Sequence, residues 1–202
     1  MWIDLSWPIS NGMPVYPGDR ETSLVQEKWV ERDHYVAFAL HTGLHAGTHM
    51  DAPMHLLPGG AGVHEVPLSR CFAPGIVLDV RGQRLILPPK LSKGSLAGKA
   101  VLLYTGLEYE YGSEGYYQGH PEVSMELAEL LARENIAFLG VDMPSPDFPP
   151  FPVHKLLLSH GIPIVENLRN LCALPASFEV AAIPLSLYAE ASLVRAVARG
   201  IM

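Results

Sequence analysis

Five of the nine histidines in this 202-residue sequence lie between positions 41 and 64. Three groups that commonly bind metal ions, His45, His49 and Asp51, fall within seven residues of one another. Neutral imidazoles and a carboxylate suit Zn²⁺ or a similar borderline cation, and they leave coordination positions open for water. The segment contains no cysteine, which disfavours a closed structural zinc site. We therefore predict a metal-binding segment, against the alternative of a purely structural polar cluster.

The spacing of these groups requires a bend in the chain. In an extended strand all three would share one face because their positions are odd-numbered. His45 and His49 would then lie about 13 Å apart at roughly 3.3 Å per residue, too far for one ion that each imidazole must approach to about 2.0–2.1 Å. Gly47 and Pro53 exclude a simple amphipathic helix. We expect the bend at Gly47.

A second histidine and carboxylate could join this site. His154 lies at the start of a predicted helix over residues 152–159, which Gly161 should end. A predicted strand over residues 162–166 then finishes at Glu166. The helix advances about 10 Å at roughly 1.5 Å per residue, and the strand returns about 16 Å at roughly 3.3 Å per residue. A reversal at Gly161 would bring the two side chains together, although such a pair is common and the residues alone leave it open.

The remaining patterns predict a mixed α/β protein in a single domain, residues 1–202, with one core. Ser124 is a plausible N-cap for a helix with an apolar stripe at Leu127, Leu130 and Leu131. Apolar runs with the composition of buried strands occur between these features. The expected strands cover residues 1–5, 35–41, 75–80, 99–105, 136–141, 162–166 and 180–185. Leu193, Val194 and Val197 favour a closing helix over residues 190–199.

The composition of the chain narrows the kinds of molecule that we expect it to bind. Fourteen basic against 21 acidic residues give a formal charge of −7, which would repel nucleic-acid phosphates. No apolar run reaches the length of a membrane helix, and the first residues do not resemble a signal peptide. Two distant cysteines, Cys71 and Cys172, cannot form a disulfide framework. We expect a soluble, cytoplasmic protein that binds a small molecule and neither nucleic acid nor membrane.

The histidine segment resembles a specific family motif. His45-Ala-Gly-Thr-His49-Met-Asp51-Ala-Pro53-Met-His55 is similar to the His-x-Gly-Thr-His-x-Asp-Ala-Pro-x-His motif of the cyclase family of metal-dependent hydrolases, which includes bacterial kynurenine formamidases. Supporting matches extend over most of the chain. They are Tyr16-Pro17-Gly18-Asp19, the stretch from Gly140 to Asp147, and the stretch from His154 through Glu166 to Leu168.

This resemblance implies a fold and a set of roles. It implies a single-domain swivelling β/β/α fold, assembled as a homodimer or higher homo-oligomer. His45, His49 and Asp51 would bind one metal ion, and Asp51 would bridge to a second ion held by His154 and Glu166. The ions would be Zn²⁺, two per chain, with Mn²⁺ as a possibility. His55 would be the catalytic proton donor and acceptor.

The implied reaction is hydrolysis of an aryl formamide, with N-formylkynurenine giving kynurenine and formate. In the implied mechanism a bound metal ion would lower the pKa of water for attack on the formyl carbonyl, and His55 would deliver a proton to the leaving aniline nitrogen. Tyr16, Trp29, Phe148 and Phe151 are aromatic residues suited to an aryl substrate, and of these we assign Tyr16 to the substrate pocket.

Two departures from the family pattern leave the substrate open. Tyr16 stands where formamidases commonly have tryptophan, and Leu56 where an aromatic residue is frequent. A related hydrolase of a lactone, a cyclic imide or an isatin-like amide is therefore an alternative. A non-catalytic metal-binding structural module is another. A serine hydrolase is excluded because the sequence has no Gly-x-Ser-x-Gly elbow.

Overall fold

A computed structural model of the chain describes residues 1–90 and 92–201. It contains twelve strands, five short α-helices and four 3₁₀ turns within these residues. The strands are β1 (Trp2–Asp4), β2 (Ser23–Lys28), β3 (Ala37–His41), β4 (His49–Asp51), β5 (Phe72–Asp79), β6 (Leu85–Ile86), β7 (Ala100–Tyr104), β8 (Glu122–Val123), β9 (Phe138–Val141), β10 (Ile164–Glu166), β11 (Phe178–Pro184) and β12 (Ala191–Gly200). The helices are α1 (Val30–Asp33), α2 (Leu68–Cys71), α3 (Glu114–Gln118), α4 (Met125–Arg133) and α5 (Pro152–Ser159), and the 3₁₀ turns are Pro53–His55, Val63–Glu65, Leu107–Glu110 and Leu171–Ala173.

Seven strands form a closed, barrel-like sheet. Their order is β12–β11–β5–β7–β9–β10–β4, and β4 pairs again with β12 to complete the ring. The β5–β7–β9–β10 part is parallel, whereas β11, β12 and β4 are antiparallel to their neighbours. β1 pairs with the C-terminal part of β12, whereas β4 pairs with its first residues. The pairs β2–β3 and β6–β8 form two small separate sheets. The predicted mixed α/β fold is confirmed.

The core has two layers because the central strands are covered on both faces. Alternate side chains of a strand point to opposite faces, so Leu102 and Phe138 join the cluster inside the sheet. Val101, Leu103 and Leu139 join a second cluster with the apolar faces of α4 and α5. This two-sided burial explains why these strands are continuous apolar runs in the sequence.

The predicted N-cap of α4 and the predicted end of α5 are confirmed. The Ser124 hydroxyl accepts a hydrogen bond from the Leu127 amide at the start of α4. α5 begins at Pro152, and Gly161 with φ of +64° reverses the chain after it. Within the described part of the chain, no helix has the length and apolar character that crossing a lipid bilayer demands.

The prediction of a helix over residues 190–199 is wrong, because Ala191–Gly200 is strand β12. Ser192, Val194, Ala196 and Ala198 are buried at every second position, which is the period of a strand. Pairing with β11, β4 and β1 outweighs the helix preference of the alanines. The prediction also missed β2, which pairs with β3 in a hairpin.

We expect Leu102→Ala to lower the free energy of unfolding by about 2–5 kcal/mol, since the side chain is fully buried and its loss leaves a cavity. Leu87 is 54% exposed, and Leu87→Ala should change stability by no more than about 0.5 kcal/mol. Urea unfolding of both variants measures the difference. Equal effects of the two substitutions would contradict the two-layer core.

Candidate metal centre

The bend in the histidine segment occurs at Gly47, which has φ of +59°. A Cβ atom there would lie 2.8 Å from the Met13 Cε, so both the backbone conformation and the space favour glycine. Residues 49–51 then enter the sheet as β4, the strand that closes the barrel. The register places His49 directly opposite Glu166 of β10. The expected bend at Gly47 is confirmed.

The second histidine and carboxylate, His154 and Glu166, lie next to Asp51. His154 lies in the first turn of α5, and Glu166 ends β10 after the reversal at Gly161. The His154 Nε2 atom is 3.2 Å from Glu166 Oε1 and 3.6 Å from Asp51 Oδ2. The structure thus brings together two segments that are more than 100 residues apart in sequence.

Asp51 lies at the centre of the cluster. Its Oδ1 atom is 3.0 Å from His45 Nδ1 and 3.6 Å from His49 Nε2, while its Oδ2 atom faces His154. His49 Nε2 is also 3.2 Å from Glu166 Oε2. Two sets of three donor atoms can each surround one ion, and both sets include Asp51. They are His45, Asp51 and His55, and His49, Asp51 and Glu166.

The cluster fits a divalent cation. His49 Nε2, Asp51 Oδ1 and Glu166 Oε1 are buried and have no hydrogen-bond partner among the described residues. Unpaired buried polar atoms of this kind are costly, and a cation bound between them would satisfy all three. Nitrogen and carboxylate oxygen donors are the ligands that Zn²⁺ and similar ions accept in proteins.

The electrostatics of the cluster also favour positive charge. Burial by itself raises the pKa of Asp51, but the imidazoles of His49, His154 and His45 hold the pKa well below its usual value. Burial lowers the pKa of His45, yet contact with the Asp51 carboxylate outweighs it and raises the pKa to about 9. The buried carboxylates therefore attract cations, whether protons or a metal ion.

Two of the imidazoles, those of His154 and His49, are oriented by hydrogen bonds from their Nδ1 atoms, on the side of the ring away from the cluster. His154 Nδ1 donates to Asp147 Oδ1 at 2.5 Å, and Asp147 Oδ2 accepts from the Val153 amide at 2.6 Å. His49 Nδ1 donates to the Gly47 carbonyl at 2.9 Å, and Asn167 Nδ2 donates to the same carbonyl. These bonds fix the tautomers and turn both Nε2 lone pairs toward the cluster. Asp147 belongs to one of the matched motifs, but no local pattern in the sequence predicts its contact with His154.

His55 lies at the edge of the cluster rather than in its buried centre. It ends the 3₁₀ turn Pro53–His55 and is half-buried. Its ring centroid is 4.5 Å from that of His45 and 6.0 Å from that of His154. The ring makes no hydrogen bond to the described residues, and burial lowers its pKa. Its geometry suits either a proton-transfer group or, with His45 and Asp51, an additional ligand.

The cluster forms the floor of a cavity of about 170 Å³. Engineered apolar cavities of about 150 Å³ bind a benzene ring, so this cavity matches one aromatic ring in size. Tyr16 lines the cavity, as does Phe151, whereas Trp29 and Phe148 do not. Sequence reasoning missed Tyr111 and Tyr117, which complete the aromatic wall. Tyr117 packs edge-on against Tyr16, with ring centroids 5.7 Å apart.

The closing strand of the barrel carries a histidine and carboxylate cluster into an aromatic-walled cavity. The fold and the site together define an α/β protein with a candidate metal centre. The family model described as "Putative cyclase" matches residues 3–148. Kynurenine formamidase of Bacillus thuringiensis (strain Al Hakam) is 32% identical over 205 residues, covering 99% of this chain and 98% of the relative. The chain belongs to the cyclase family.

Solved structures agree with this assignment. A structure described as a "Potential Metal-Dependent Hydrolase With Cyclase Activity" is 26% identical, with a TM-score of 0.81 over 98% of this chain and 96% of that one. Isatin hydrolase A from Labrenzia aggregata, bound to benzyl benzoate, is 21% identical, with a TM-score of 0.86 over 100% of this chain and 94% of that one. At that identity the second likeness shows the fold alone.

We expect Asp147→Asn to weaken Zn²⁺ binding about 10- to 100-fold, because His154 loses the carboxylate that orients it and increases its basicity. Titration against a chromophoric chelator measures the affinity. Asp79→Asn removes an exposed carboxylate that pairs with Arg81 and should leave Zn²⁺ affinity unchanged. Equal affinities of wild type and Asp147→Asn would show that this hydrogen bond does not support the site.

Proposed function

We propose that this cyclase-family hydrolase cleaves the amide bond of an N-formyl arylamine, releasing formate and the free amine. N-formylkynurenine is the proposed substrate. The observation that carries the proposal is the position of Asp51, which two sets of candidate ligands share at the floor of a cavity that fits one aromatic ring. The kynurenine formamidase relative, matched over nearly its whole length, supports the same reaction.

We propose that His45, His49 and Asp51 hold one divalent cation and that Asp51, His154 and Glu166 hold a second. This division differs from the two geometric sets, since it assigns His49 to the ion at His45 although His49 Nε2 also lies 3.2 Å from Glu166 Oε2. His154 completes the second set, because its Nε2 atom lies 3.2 Å from Glu166 Oε1. Zn²⁺ is the proposed ion, with Mn²⁺ as the alternative. A carboxylate has two oxygens and can serve two cations, whereas a neutral imidazole offers one lone-pair nitrogen. When bound, the ions would supply Lewis acidity at the formyl carbonyl and lower the pKa of water.

The protein's own groups divide the remaining tasks. The wall of Tyr16, Tyr111, Tyr117 and Phe151 binds the aryl ring and keeps water away from it. The neutral His55 imidazole accepts a proton from the attacking water and passes it to the leaving aniline nitrogen. Its lowered pKa suits this exchange, because the neutral form predominates near neutral pH. Asp147 and the Gly47 carbonyl keep the ligand imidazoles in place.

Wild-type protein loaded with Zn²⁺ or Mn²⁺ should hydrolyse aryl formamides, and His55→Gln should lower kcat about 10²- to 10⁴-fold, as expected for loss of an acid–base group. Formate release measures turnover, and elemental analysis measures the metal content of each preparation. His55→Gln should retain the metal content of wild type. Loss of metal together with activity would identify His55 as a ligand instead.

The same assay should include aryl lactones and cyclic imides. Hydrolysis of these compounds without hydrolysis of formamides would refute the proposed substrate class. His64→Gln is a matched control, since His64 lies outside the cavity and its ring donates to the Leu187 carbonyl. This variant should keep wild-type turnover.

We expect wild type to bind two Zn²⁺ ions per chain and Glu166→Gln to lose the weaker one, because Glu166 Oε1 lies 3.2 Å from His154 Nε2 in the proposed second set. The ion at His45 and His49 should remain. Calorimetric titration gives both the stoichiometry and the affinities. Saturation of wild type at one ion under excess Zn²⁺ would overturn the two-metal arrangement.

A further inference from the structure

The turn formed by Tyr16, Pro17, Gly18 and Asp19 lies at the rim of the cavity. The Asp19 amide donates to the Tyr16 carbonyl at 2.9 Å, and Gly18 has φ of +96°. Proline at the second position and a positive φ at the third are the features of a type II turn. The first and last residues of the turn, Tyr16 and Asp19, both line the cavity.

The Asp19 carboxylate has no partner within the described residues. It takes part in none of their ion pairs or side-chain hydrogen bonds, although the neighbouring Arg20 is also exposed. Other exposed aspartates of this chain differ in this respect. Asp4 pairs with Arg195 at 2.7 Å, and Asp79 pairs with Arg81 at 2.6 Å. Asp19 therefore presents an uncompensated negative charge to the cavity.

The rest of the cavity wall offers no opposite charge. Among the described residues that line it, none is a lysine or an arginine. Apart from Asp19 and the histidine and carboxylate cluster at the floor, the lining consists of aromatic, aliphatic, proline, glycine and uncharged polar residues. A free carboxylate on the part of a substrate near the rim would meet Asp19 without a cation to balance it. An ammonium group there would form a charge-assisted pair.

We propose that Asp19 selects aryl formamides whose side arm carries an ammonium group. The aryl ring lies between the tyrosines, the formamide faces the metal cluster, and the ammonium group of the arm contacts Asp19 at the rim. This inference rests on the proposed function, since it assigns the orientation of the substrate in that same site. For an arm that bears both an ammonium and a carboxylate group, the ammonium group is the recognised one.

The test compares 2-formamidophenyl ketones whose arms end in an amine, a carboxylate or a methyl group. In wild type, kcat/KM should be about 5- to 50-fold higher for the amine arm than for the methyl arm, and lowest for the carboxylate arm. Added NaCl should reduce the difference because the rim is open to solvent. Asp19→Asn should abolish the preference, and Asp19→Lys should reverse it in favour of the carboxylate arm.

Glu21→Gln is the matched control, since Glu21 is an exposed carboxylate two residues away that does not line the cavity. It should keep the wild-type ratio between the arms. Equal kcat/KM values for the amine and methyl arms in wild type would overturn the inference. So would a preference that Asp19→Asn leaves intact.

Binding of the corresponding 2-aminophenyl ketones, measured by calorimetry, separates this inference from the proposed function. If wild type hydrolyses none of the formamides, the proposed function fails, while the binding series still decides the role of Asp19. The amine arm should bind more tightly than the methyl arm in wild type and lose that advantage in Asp19→Asn. Equal binding of the two arms would refute the selection of an ammonium group.

Discussion

The burial of the Asp51 carboxylate among three imidazoles is the interaction on which the rest of the site depends. A carboxylate that is 1% exposed would be strongly unfavourable without compensating positive charge. Each of its oxygens faces imidazole nitrogens, and the nearby Glu166 adds a second buried carboxylate. The buried carboxylates carry surplus negative charge, and three buried donor atoms of the cluster have no hydrogen-bond partner among the described residues. A divalent cation would compensate the charge and satisfy these atoms. The bend at Gly47 and the hydrogen bond from His154 to Asp147 hold the imidazoles in this arrangement, and the histidine tautomers leave a nitrogen lone pair facing it.

The pairing that closes the barrel also brings the candidate metal ligands together. β4 pairs with β10 on one edge and with β12 on the other. Its three residues are therefore held by hydrogen bonds on both sides, which restricts His49 and Asp51 more tightly than a loop could. The pairing with β10 also sets His49 opposite Glu166. Ligand geometry is thus coupled to the integrity of the sheet.

The residues proposed for the reaction chemistry and those proposed for substrate selection lie on different parts of the chain. Most of the floor of the cavity comes from β4, β10 and α5, which are regular elements within or against the barrel, and His45 and His55 flank β4 in the chain. The wall comes largely from loops and short helices, where Tyr16, Tyr111 and Tyr117 meet. Loops tolerate substitution better than paired strands do. Because the cluster and the wall lie on different elements, a substitution in the wall need not disturb the paired strands that hold the cluster.

The sequence by itself determined the features that depend on local backbone geometry. Gly47 and Gly161 mark the two reversals, and each has the positive φ that glycine adopts most readily. Only the tertiary structure decided features that depend on distant pairing. Residues 191–200 have helix-favouring alanines, yet they form a strand because β11 and β4 supply its hydrogen bonds. The contact of Asp147 with His154 and the position of Tyr117 likewise follow from packing between separate segments, which no local pattern encodes.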